Sequence, residues 1–233
     1  MLPLLLACEQ ASERAVVNDA GPGADSAAVM PMDSPAVAPD VAPLVPDSAP
    51  TFVYLCPDSF TFTVRALQDT AWLYLPERTL TLPLVVSGSG ARYSDGRVTF
   101  WAKGEEALLE LDGRARTDCR NNPGRAVWEH ARLRGVDFRA LGQEPGWLLE
   151  IDEGKQIIMI ADYGERRVTT PAPSPEFNAA TGKKTYRIRT EAHRLQIVLK
   201  NEPCADAMSG ERYPTTVVVT LDGREYRGCG RVP

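Results

Sequence analysis

Two short stretches of this 233-residue chain hold side chains placed to make contact with something. Ser87-Gly88-Ser89-Gly90 is a run of small residues, and Phe100-Trp101-Ala102-Lys103 is an alternating run that ends on a lysine, with Asp95-Gly96 between the two. A serine hydroxyl donates and accepts, a lysine ammonium carries a full charge and three donors, and glycine lets backbone come close to a neighbour. That is chemistry for binding rather than turnover. A serine nucleophile needs a positioned base, and the two histidines, His130 and His193, lie far from Ser89 in sequence. Both are expected as solvated surface residues. Glu105-Glu106 adjoin a turn and Glu144 precedes Pro145, with nothing marking a carboxylate pair for acid–base work. No Cys-x-x-Cys occurs to hold a metal. The chain reads as a non-enzyme that needs no cofactor or metal.

The elements that must carry these residues are strands. Phe60–Leu67 alternates cleanly, and Trp72–Leu75, Leu80–Val86, Val98–Trp101 and Leu108–Leu111 follow at short intervals. Asp-Gly at 95–96 and 112–113 is a hairpin signal, because a type I′ turn wants two residues tolerant of positive φ. Short strands with Gly and Asp turns predict an all-β antiparallel sandwich or barrel. Phe100 and Trp101 face opposite ways on a strand, and packing is expected for both.

SGSGARYSDG followed by FWAKGEEA resembles the paired motifs of the membrane-bound and periplasmic inhibitors of c-type lysozyme. The resemblance covers residues 51–120 and includes a cysteine near each end, Cys56 and Cys119. It implies a small eight-stranded antiparallel barrel and a c-type lysozyme as partner. It also implies that Ser89 and Lys103 enter the lysozyme cleft, with Gly88 and Gly90 shaping the loop and Arg92 and Tyr93 as rim contacts. Lysozyme needs one protonated and one ionised carboxyl group flanking the glycosidic bond. An ammonium brought to that pair favours both in the charged form and so removes the acid's proton. The plainer alternative is a tight loop beside a lysine that only guards an edge strand, in an envelope module that binds a cell-wall fragment or serves as scaffold.

The five cysteines sort by position. Cys8 follows Leu5-Leu6-Ala7 as the lipidated cysteine of a lipoprotein would, although the apolar run before it is shorter than a full leader. Either the natural start lies upstream or residues 1–8 are not a leader. Of the three ways to pair the other four, only Cys56 with Cys119 and Cys204 with Cys229 keeps each bridge within one domain. Disulfides persist in the periplasm or outside the cell. An outer-membrane lipoprotein facing the periplasm is the expected location. Residues 9–50 are rich in Ala, Pro, Asp and Ser and read as a disordered tether. Seven carboxylates against one arginine fall there, so the net charge of −5 belongs to the tether and the rest of the chain is near neutral.

Cys119–Gly124 reads as a linker to a second, mainly β domain over residues 125–233, with an unconvincing helical turn near Val127–Leu133. Strands are expected at Val136–Leu141, Trp147–Ile151, Gln156–Ala161, Thr185–Arg189, Leu195–Leu199 and Thr215–Leu221. GQEPGW (142–147), CADAMSGERYP (204–214) and GCG (228–230) resemble an uncharacterised family of bacterial envelope proteins. Glu144, Trp147, Met208, Ser209 and Tyr213 either line a small cleft or, the preferred reading, pack around the Cys204–Cys229 bridge. The basic residues Lys183, Lys184, Arg187 and Arg189 occupy one short strand, too small a patch to imply nucleic acid.

Overall fold

A computed structural model describes residues 45–233. Cys8 and most of the tether lie outside the described residues. Eight strands close the first barrel: β1 (Thr51–Leu55), β2 (Thr61–Leu67), β3 (Thr70–Tyr74), β4 (Thr79–Val85), β5 (Ala91–Ser94), β6 (Thr99–Lys103), β7 (Glu106–Leu111) and β8 (Arg114–Asn121), each antiparallel to the next. Alternate residues turn inward, so Phe62, Val64, Leu73, Leu82, Phe100 and Leu109 form a dry core. Closure is thin where the ends meet. β1 and β8 share only the pairs Tyr54↔Asn121 and Leu55↔Arg120, and the Cys56–Cys119 disulfide sits at that seam.

The Asp-Gly turns differ. Asp112 and Gly113, and likewise Asp222 and Gly223, both have positive φ and make two-residue hairpins. At 95–96 only Gly96 does, and Ser94 pairs with Thr99 across a four-residue loop. There the Asp95 carboxylate accepts from the amides of Arg97 (2.9 Å) and Val98 (2.7 Å), which widens the turn beyond the two-residue hairpin expected.

The stretch expected as a linker is structured. Asn121 ends β8, and the Asn122 side chain accepts from the Arg125 amide at 2.9 Å as the N-cap of α1 (Pro123–Leu133), with Pro123 opening the first turn. Asn then Pro is a helix start as readily as a chain break. This helix joins the two halves. Its entry is held by the Asn122 amide on the Val53 carbonyl, while buried Trp128 packs on Tyr213 and lies 4.3 Å beneath the Arg231 guanidinium.

Beyond α1, nine antiparallel strands form one sheet. Those from the first half are β9 (Phe138–Gln143), β10 (Gly146–Asp152), β11 (Gln156–Ala161) and β12 (Arg166–Pro171). The rest are β13 (Glu176–Asn178), β14 (Lys183–Arg189), β15 (Arg194–Lys200), β18 (Thr215–Leu221) and β19 (Arg224–Arg231), in the spatial order β12-β11-β10-β9-β19-β18-β15-β14-β13. A small ribbon of β16 (Cys204–Ala205) and β17 (Arg212–Tyr213) is tied to β19 by the Cys204–Cys229 disulfide. The sheet curls around Leu149, Ile157, Met159, Ile197 and Val219, far enough that the Tyr186 hydroxyl of β14 donates to Glu153 beside β10 at 2.8 Å.

One ion cluster lies under α1. Glu150 is buried and takes hydrogen bonds from Arg139 and, at 2.6 Å, from Arg134. Glu150→Ala leaves two guanidiniums without their carboxylate. Full burial would make that cost larger, but Arg134 keeps partial access to solvent, so a loss of about 2 kcal/mol is expected in urea unfolding.

Candidate functional site

Residues 86–90 connect β4 to β5 and meet β6 at Ser89 and Gly90. Gly90 has φ +69°, and a Cβ there would lie 2.3 Å from the Ala102 carbonyl oxygen, so only glycine allows this approach. The Ser87 hydroxyl donates to the Gly90 carbonyl at 3.0 Å and closes the loop on itself. The Trp101 indole N–H donates to the Ser89 carbonyl at 2.8 Å and fixes the loop to the strand. Ser89 and Lys103 are both exposed. Trp101 and Lys103 share one face of β6, while Phe100, 2% exposed, fills the core from the other. Packing was expected of both aromatics; Trp101 instead lies on the outer face, 36% exposed.

The surroundings leave the Lys103 charge available. Its cross-strand partner is Glu106, whose carboxylate is taken by Arg120 of β8 at 2.8 Å. Glu105 accepts from the Asn121 side chain at 3.1 Å. Among the described residues Lys103 makes no ion pair. Arg92 of β5 pairs with Trp101 of β6 and is half-buried on the same outer face. Tyr93 is not a rim residue. Strand alternation turns it inward, where it is buried and stacks on Phe100 with ring centroids 6.1 Å apart. Burial, and then the Asp69 carboxylate, push its phenol up.

The candidates of the second domain do not form one cluster. Met208 is exposed, the Ser209 hydroxyl donates to Asp206, and Tyr213 packs on Trp128 and Cys229 beside the second bridge. Trp147 belongs to the main sheet core instead, with its N–H on the Arg227 carbonyl. Lys184 and Arg187 are paired to Glu153 and Glu176.

Neither histidine is a plain surface residue. His193 Nδ1 is 2.9 Å from Asp222. His130, half-buried on α1, shares a 2.8 Å hydrogen bond with the Thr51 hydroxyl of β1. Burial first, then the Arg134 and Arg65 guanidiniums, lower the imidazole from its ordinary value of 6.5. The folded protein thus binds this proton less readily than the unfolded chain does. Its contribution to stability is intact above about pH 6.5 and is lost as pH falls through the window below. Urea midpoints measured between pH 7.5 and 5.5 should fall less steeply in His130→Gln than in the parent.

Arg65, 2% exposed, donates to the carbonyls of Pro46 (2.6 Å) and Ala49 (3.1 Å), and so holds residues 46–49 against β2. The chain leading into the barrel is therefore seated on it several residues before β1 begins.

Residues 54–118 match the family described as "Membrane-bound lysozyme-inhibitor of c-type lysozyme". A "Membrane-bound lysozyme inhibitor of C-type lysozyme" of Yersinia enterocolitica is 48% identical over 54 residues, covering 23% of this chain and 46% of the relative. A relative of the same name from Pseudomonas aeruginosa is 39% identical over 64 residues, covering 25% of this chain and 50% of its own. The chain thus spans about half the length of the curated relatives it matches. No solved structure matches. The likeness read from SGSGARYSDG and FWAKGEEA is borne out over the first barrel, whose residues 54–118 match the membrane-bound lysozyme inhibitors of c-type lysozyme.

Proposed function

We propose that the barrel inhibits a c-type lysozyme by occluding its catalytic cleft with Ser89 and Lys103. The observation that carries this reading is the state of Lys103. It is exposed at the end of β6, and the carboxylates of the adjoining hairpin, Glu105 and its cross-strand partner Glu106, are engaged by Asn121 and Arg120. An ammonium without a partner of its own fits a site built from two carboxyl groups. Delivered there it keeps both ionised, so the protonated acid needed for glycosidic cleavage is lost. The Ser89 hydroxyl would donate to one of the two. The relatives carry the words "lysozyme inhibitor" in their names, and the family match over residues 54–118 spans both Ser89 and Lys103.

Lipidation at Cys8 would anchor the protein to the outer membrane facing the periplasm, where inhibition would protect peptidoglycan. Palmitate incorporation that disappears in Cys8→Ser supports the anchor, and incorporation that persists refutes it. Inhibition is tested by titrating the full chain into a c-type lysozyme acting on bacterial cells. Lysis should stop near equimolar inhibitor, and full lysis at a several-fold molar excess would sink the proposal.

A second reading has one observation in its favour. A cleft of about 470 Å³ opens between the barrel and α1, lined among others by Thr61, Tyr74, Arg125, Trp128 and Glu129. Clefts between packed units are common ligand sites, and a cell-wall fragment is the ligand this reading implies. Binding of soluble muropeptides by a protein that fails to inhibit lysozyme would favour it.

A further inference from the structure

We infer that Trp101 is a positioning residue of the inhibitory surface, setting the place of Ser89 relative to Lys103 through its indole N–H. This rests on the reading of the barrel as a lysozyme inhibitor. Ser89 lies in a loop whose neighbours are glycines, and such a segment has many conformations to lose on binding. Two internal devices restrain it. The Ser87 hydroxyl closes the loop on Gly90, and the Trp101 indole draws the Ser89 carbonyl onto β6 at 2.8 Å.

Only the second ties the loop to the strand that carries Lys103. Trp101 precedes Lys103 by two residues on the same outer face, so the hydroxyl and the ammonium are referred to one rigid element. The glycine at 90 belongs to the same device. A Cβ there would meet the Ala102 carbonyl at 2.3 Å and the indole nitrogen at 3.2 Å, so any other residue lifts the loop away from the tryptophan. The arrangement also accounts for a large aromatic ring left 36% exposed on the barrel wall beside the loop. A preformed loop avoids paying its ordering cost at the moment of binding.

The test is Trp101→Phe in the full chain, which keeps an apolar ring and removes the donor. The dissociation constant for a c-type lysozyme should rise about tenfold, the effect of one hydrogen bond. In a Ser89→Ala background the same change should cost less than about twofold, whereas in a Lys103→Arg background it should again cost about tenfold. A merely structural role would weaken binding equally in both. In the parent protein the Trp101 indole proton should exchange slowly, and its resonance should shift in Gly90→Ala, which should also lose about tenfold in affinity. If Trp101→Phe does not fold, Gly90→Ala carries the same comparison. An unchanged dissociation constant in a folded Trp101→Phe, with Lys103→Ala still crippled, overturns the inference and leaves the inhibitor reading standing. A Lys103→Ala protein that inhibits normally removes the reading itself.

Discussion

Lys103→Ala should raise the dissociation constant for a c-type lysozyme by a few hundredfold, about 3.5 kcal/mol, while leaving the stability of the free protein within about 0.5 kcal/mol of the parent. The two halves of this result have different causes. In the free barrel Lys103 is exposed and Glu106 is satisfied by Arg120, so truncation removes no native contact of consequence. In the complex the ammonium would sit against two carboxyl groups shielded from water, and its loss leaves them crowded together without a counter-charge. Calorimetric titration gives the first number and urea unfolding the second. A loss of affinity matched by an equal loss of stability would mean that Lys103 supports the barrel rather than the contact. Because the charge would be buried in the complex, the penalty should change little between low and moderate salt, unlike that of a rim residue. Arg92→Ala, at the position proposed for a rim contact, should instead show a penalty that shrinks as salt rises.

Replacing both Cys56 and Cys119 by serine should lower stability by about 4 kcal/mol, since the bridge closes a loop with a sequence separation of 63. The seam it spans is thin: β1 and β8 share two register pairs, as few as β4 and β5, whereas β1 and β2 share five. The chain-entropy cost and the thin hydrogen bonding act at the same place, so the variant should open there first. Hydrogen exchange of Tyr54, Leu55 and Arg120 amides should approach solvent rates while those of β3 remain protected. Affinity should follow. Ser89 and Lys103 belong to the β4–β5 loop and β6, but Arg120 and Asn121 at the seam hold the Glu106 and Glu105 carboxylates beside Lys103, so opening there should also raise the dissociation constant. A stability loss below about 1 kcal/mol would show that hydrogen bonds and the α1 contacts close the barrel without the bridge.

What could be read along the chain is local in origin. Gln156–Ala161 and Thr215–Leu221 form strands at the residues expected, because alternation at period two needs only near neighbours to reveal it. The cystine pairs followed from keeping each bridge within one unit. The joint motif around Ser89 and Lys103 pointed to the family matched by residues 54–118. Spacing also places Trp101 and Lys103 on one face, since they are two apart on a strand.

Tertiary structure alone decided the rest, because it depends on groups far apart in the chain. Tyr93 as core, Trp101 as clamp, and the capture of Glu106 by Arg120 all require knowing which strands adjoin. Asn122-Pro123 reads equally as a break or as a helix start, and Val53 of β1 with Tyr213 of β17 supplied the contacts that settled it. His130 looked solvated until a threonine 79 residues away in sequence was folded against it. Local propensity selects the elements, but burial and charge pairing between elements choose the face each side chain presents, and that choice decides which residues are left to meet a partner.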